Sequence, residues 1–185
     1  MVQLTHRRWI YPAVLGLTLL VIIVAVAFSS NTARASQETL VTLVPGGPAR
    51  VGEPVTVKLL VENGHNLAGF QSSVSYDAAL VKVGDVEVSA DLERNGRDLL
   101  TLGPTGRDGV LVLGAATCPA DCNSAEPWND FKTEIGVDGR VELASLSFVS
   151  DLAGTYELKL ENVKLVDPQG NLLVNGIANT VIEVR

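Results

Sequence analysis

The chain has 185 residues, is 46% apolar and carries a formal net charge of −7. All 21 acidic residues lie after residue 35, with 11 of the 14 lysines and arginines, so that part has a charge of 11 minus 21, or −10. It holds no basic cluster, which excludes nucleic acid as a partner, and its evenly spread acidity reads as a soluble exported surface.

The N-terminal stretch is not globular. Trp9 to Phe28 contains no charged residue, and as a helix it spans about 30 Å, enough for a bilayer core. His6, Arg7 and Arg8 precede it, so the positive-inside bias keeps the N-terminus in the cytoplasm and sends the rest across. Ala33-Arg34-Ala35 before Ser36 fits a small-x-small cleavage site. Residues 1–35 are therefore a signal peptide or a signal-anchor, with an apolar helix over 9–28. Either way, residues 36–185 form one extracytoplasmic domain. It is membrane-anchored by that helix, or secreted if cleaved after Ala35, and is expected to be a monomer.

The first strand runs from Thr39 to Val44 and stops at Pro45-Gly46-Gly47-Pro48. Val55, Val57, Leu59 and Val61 alternate with Thr56, Lys58, Leu60 and Glu62, the pattern of a half-buried strand. Asn63-Gly64 is expected to turn the chain. Next, Phe70, Ser72, Val74 and Tyr76 share one side of an extended segment, and Gln71, Ser73, Ser75 and Asp77 share the other. This gives one apolar-leaning face and one small, flat, polar face. Val81 to Ser89 is extended, with a bulge at Gly84-Asp85.

Residues 90–108 read as a short strand between loops. Val110 to Ala116 is apolar on both sides, as expected of a central strand covered on both faces. Residues 117–138 form the longest irregular stretch. It contains Cys118 and Cys122, the only cysteines, for which a local disulfide is the first reading in an oxidising compartment. Closing so small a loop contributes about 2 kcal/mol in the chain-entropy model. Strands resume at Gly139, after Gly154 and at Thr180, with a turn at Asp167-Pro168-Gln169-Gly170. No segment shows sustained helical periodicity, and about nine short strands with regular turn signals mean an all-β sandwich.

Catalytic chemistry finds little support. His65 is the domain's one imidazole and sits beside Asn63-Gly64, where a solvated turn residue is expected rather than a base. Two thiols without a nearby histidine do not complete a zinc tetrahedron. Asp121, Asn123, Glu126, Asn129 and Asp130 offer oxygens at no recognised calcium spacing. No enzyme activity, metal or cofactor is therefore expected. An alternative binding chemistry is carbohydrate, which needs an exposed aromatic ring. Trp128, with Phe131 three residues on, is the candidate for polysaccharide, whereas Phe70, Tyr76, Phe148 and Tyr156 fall on inward faces.

A string of features in order resembles the cohesin family, the jelly-roll modules that receive dockerins. These features are Val51-Gly52-Glu53 before alternating valines, Leu67-Ala68-Gly69-Phe70-Gln71 followed by Tyr76-Asp77 and Leu80, and Gly139-Arg140-Val141 leading into Leu146-Ser147-Phe148. Gly154, Tyr156 and the segment from Asn162-Val163 to Gly170 complete it, so nearly all of 38–185 is covered. The resemblance implies a jelly-roll β-sandwich of about nine strands and a non-catalytic role in protein–protein attachment, linked to polysaccharide breakdown. It implies that Tyr76 is buried with a backbone partner for its hydroxyl and that Asp77 caps the following turn. It also implies a dockerin-like partner, a calcium-loaded helix pair, on the strand face bearing Gln71, Ser73 and Ser75. Type I cohesins carry an Asn and an Asp on this strand where this chain has Gly69 and Gln71. A partner contact of that type is not carried over.

Overall fold

In the computed structural model, residues 38–94, 98–118 and 136–185 are described. The apolar segment 9–28, the junction after Ala35, Cys122, Trp128, Phe131 and the candidate calcium oxygens lie outside them. Among the described residues, no helix is long and apolar enough to cross a membrane.

The alternating pattern produces strands β1 (Leu40–Pro45), β2 (Val55–Leu67), β3 (Gly69–Ser75) and β4 (Lys82–Val88). A 3₁₀ turn, Ala90–Glu93, separates these from β5 (Asp98–Arg107) and β6 (Val110–Cys118). The chain continues with β7 (Val137–Val149), β8 (Gly154–Val166), β9 (Leu172–Leu173), β10 (Gly176–Ala178) and β11 (Thr180–Val184). One sheet has the order β10-β1-β2-β7-β4 and the other β11-β8-β3-β6-β5, with β9 beside β8. Among the described residues, pairing between the named strands is antiparallel except for β1 with β10. The expected sandwich is present. It has more strands than about nine because β9 and β10, with two and three residues, are too short for a period to show.

The core lies between the sheets. Val57, Leu59, Leu146 and Phe148 of the first sheet meet Val74, Leu113, Leu158 and Leu165 of the second, all at most 1% exposed. Each such side chain contributes roughly 1.5–3 kcal/mol by leaving water. Ser72 also points inward, is fully buried, and its hydroxyl has no hydrogen-bond partner among the described residues. An unpaired buried hydroxyl costs about 1–3 kcal/mol. Ser72→Ala is therefore expected to raise the urea midpoint, by about 1 kcal/mol of stability. A fall in the midpoint would mean that the hydroxyl is satisfied.

Several local expectations change in three dimensions. Asn63-Gly64 does not turn the chain, since β2 continues to Leu67. Its register against β7 shifts between Val61 and Gly64 and again between Gly64 and Leu67. Asn63 (φ 54°) and Asn66 (φ 51°) take the left-handed conformations that such bulges require, which asparagine tolerates. The crossing to the other sheet comes at Ala68, whose N–H donates to the Val166 carbonyl at 2.8 Å. The bulge expected at Gly84-Asp85 is present, as a register shift between Val83 and Val86.

The turn after β3 is built as expected at Asp77. Its side chain accepts from Ala79 N–H at 2.9 Å, and its carbonyl accepts from Leu80 and Val81 N–H. Tyr76 is only half-buried, with its ring edge-on to Phe148 at 5.8 Å. The tyrosine hydroxyl-to-backbone bond expected there is made instead by Tyr156, to the Leu152 carbonyl at 2.7 Å. Val81 fills the core, whereas Leu80 is 39% exposed.

On the first sheet's outer side, Asp91 of the 3₁₀ turn accepts from Glu142 N–H at 2.8 Å. The adjacent Arg94 guanidinium holds the Asp91 carboxyl below the usual carboxylate range.

Candidate functional site

Strand alternation sends Gln71, Ser73 and Ser75 to the outer face of the second sheet, as expected, because Phe70, Ser72 and Val74 are buried against the core. Pairing extends this face into rows across four strands. Lys164, Gln71, Gly114 and Leu102 form one row, and Glu161, Ser73, Val112 and Thr105 the next. Lys159, Ser75, Val110 and Arg107 close one end, and Val166, Gly69, Ala116 and Leu100 the other. The rows stay aligned because two irregularities compensate the pleat. One is the bulge on β8 at Asn162 (φ 51°), and the other is the shift on β5 between Leu102 and Thr105.

The three sequence-chosen positions differ in access. Gln71 is exposed, and Ser75 is half-buried and donates to the Glu161 carboxylate at 3.0 Å. Ser73 is only 5% exposed, because its short side chain lies below the flanking Val112 and Glu161. The face is also low at its centre. A Cβ at Gly114 would come within 2.7 Å of the Phe70 carbonyl oxygen, so no side chain fits there. At Gly69 a Cβ would meet the Ala115 carbonyl and the Val166 methyl at 3.0 Å. This crowding explains why a larger residue is absent from that position.

The β5–β6 half of the face was missed by sequence reasoning. β6 was expected to be covered on both sides, but while the inward Leu111, Leu113 and Ala115 are buried, Val112 on the outer face is 37% exposed. Residues 90–108 were expected to give a short strand, yet β5 has ten residues and follows β6 along most of its length. It presents Leu100 and Leu102, each 54% exposed. The alternation Leu100-Thr101-Leu102 was the available signal. With Val112 on the neighbouring strand, Leu100 and Leu102 form an exposed apolar strip beside Gln71.

Cys118 ends β6 and is disulfide-bonded. His65 stands in β2, not in a turn, and its Nδ1 lies 3.0 Å from the Asp138 carboxylate. That carboxylate also accepts from Asn66 N–H at 2.7 Å, so the pair fastens the bulged end of β2 to the start of β7. Among the described residues, no group of three His, Cys, Asp or Glu side chains is placed to hold a metal ion.

No family model and no curated protein sequence matches the chain. Solved structures do. A non-cellulosomal cohesin from the archaeon Archaeoglobus fulgidus superposes with a TM-score of 0.59 at 17% identity, covering 80% of this chain and 91% of its own. The cohesin module of a family 33 glycoside hydrolase from Clostridium perfringens gives 0.61 at 10% identity, covering 80% and 97%. A type I cohesin–dockerin complex from Clostridium thermocellum gives 0.59 at 14% identity, covering 80% and 94%. At such identities the likeness is one of fold. The two-sheet architecture and these superpositions together make the described domain a cohesin-like β-sandwich.

Proposed function

We propose that this domain is a non-catalytic receptor module that docks a folded protein partner on the outer face of β8-β3-β6-β5. The observation that carries the reading is the exposed strip of Leu100, Leu102 and Val112 running beside exposed Gln71 over a floor emptied by Gly114. Such a face offers apolar area for burial, with polar groups at its margin to set orientation. A dockerin-like module, a calcium-loaded helix pair, is the partner class, supported by solved cohesin neighbours that are complexes with dockerins. The calcium then belongs to the partner. The receptor acts outside the cytoplasm, as the charge pattern around residues 9–28 implies. The Cys118 disulfide agrees with an oxidising compartment.

Capture of purified dockerin modules by the full chain, with and without calcium, tests this. Binding is expected only with calcium, and Gln71→Arg, which adds a bulky charge above the Gly114 floor, is expected to weaken it at least about tenfold. Calcium-independent capture, or binding indifferent to Gln71→Arg, would sink the reading.

A further inference from the structure

The second sheet contains an internal gap. β3 runs beside β8 only as far as Ser75, which pairs with Lys159. At Tyr76 the chain leaves, and Tyr76 N–H donates across to the Gly109 carbonyl on the β6 side. β8, however, extends further, from Lys159 back to Gly154. On its other side it is paired throughout this part with β11, from Leu158 opposite Thr180 to Gly154 opposite Val184.

Successive residues of a strand aim their backbone groups at opposite neighbours. Leu160 N–H reaches the Asn179 side chain on the β11 side at 3.0 Å, so Leu158 and Tyr156 face β11 as well. By the same alternation Lys159, Glu157 and Thr155 face the other way. Lys159 meets β3, but Glu157 and Thr155 look into the space that β3 vacated. Among the described residues, no hydrogen bond reaches their backbone from that side. Inside a sheet, this is an open edge.

The gap is a cleft of about 370 Å³ rather than flat surface. Tyr76 and Leu80 form its apolar wall, and Asp77, Glu157 and Lys159 its polar one. Lys159 is paired with Glu157 at 3.1 Å, and one Asp77 oxygen is held by Ala79 N–H. Glu161 stands next along, bonded to Ser75. Among the side chains that line the cleft, two carboxylates, Asp77 and Glu157, stand against one lysine and leave it negative.

We infer that this cleft takes an extended, basic peptide segment, which adds a short strand to β8 through the backbone of Thr155 and Glu157. Main-chain bonds would supply the recognition common to strand addition. An apolar side chain would rest against Tyr76 and Leu80, and a lysine or arginine would meet Asp77 and Glu157. The cleft lies at the Ser75–Lys159 end of the docking face, whereas Leu100 and Leu102 stand toward its other end.

The probe is the blocked peptide acetyl-Val-Lys-Val-Lys-Val-amide, added to the full chain while amide hydrogen exchange is read residue by residue. Thr155 and Glu157 amides are expected to exchange fast in the free protein and to slow at least about tenfold at saturating peptide, while the Gln71 and Leu102 amides stay unchanged. The same peptide N-methylated at alternate amides, and the Val-Glu-Val-Glu-Val analogue, are expected to give no protection. Glu157→Lys, which alters an exposed side chain and no strand pairing, is expected to abolish the effect of the lysine peptide. Unchanged exchange at Thr155 and Glu157, or equal protection by the N-methylated peptide, overturns the proposal.

Discussion

Replacing Leu100 and Leu102 together by aspartate is expected to weaken partner binding at least about a hundredfold, roughly 2.7 kcal/mol, while the fold is kept. Both side chains are 54% exposed on β5, the sheet's outermost strand on that side. In the free protein the aspartates would stand in water, and surface changes of this kind usually alter stability within about 0.5 kcal/mol. In the complex the same carboxylates would be buried against the partner without a counter-charge, which is costly. Calorimetric titration with the dockerin module, alongside urea unfolding of the double variant, separates the two effects. Full affinity in a folded double variant would place the partner on some other surface.

Phe148→Ala has the largest expected effect on stability, a loss of about 3–5 kcal/mol. Phe148 is fully buried in β7, the strand between β2 and β4, and pairs with Val55 on one side and Val83 on the other. Its ring also meets Tyr76 edge-on at 5.8 Å, a contact contributing about 0.5–1.5 kcal/mol beyond burial. Truncation leaves a cavity between sheets whose backbones are fixed by pairing, so little collapse can fill it. Against a usual total of about 5–15 kcal/mol, the urea midpoint is expected to fall sharply. A loss under about 1 kcal/mol would show that neighbouring side chains repack into the space.

The strongest sequence signals were local ones. The alternation from Val55 to Val61, the Asp77 turn and the Gly84-Asp85 bulge were legible because each depends on side-chain parity or turn chemistry within a few residues. Asn63-Gly64 carried an equally strong turn signal and misled. The same left-handed φ that closes a hairpin can be absorbed as a bulge when a partner strand, here β7, continues alongside. Tyr76 and Tyr156 were likewise indistinguishable by local pattern. Which hydroxyl finds a carbonyl depends on the loop at Leu152 folding back over β8.

From the amino-acid order alone came the sandwich class, the resemblance to cohesins and the outward direction of Gln71, Ser73 and Ser75. The period of two determines which residues share a face. It does not say what lies over that face or beside it. Only the assembled sheets show that Ser73 is shaded by Val112 and Glu161, that Val112 is 37% exposed, and that Leu102 stands in Gln71's row with Leu100 in the next. Those outcomes depend on strand order and register between residues far apart in the chain. The long-range pairing of β3 with β6 and β8 therefore turns a readable strand into a specific surface.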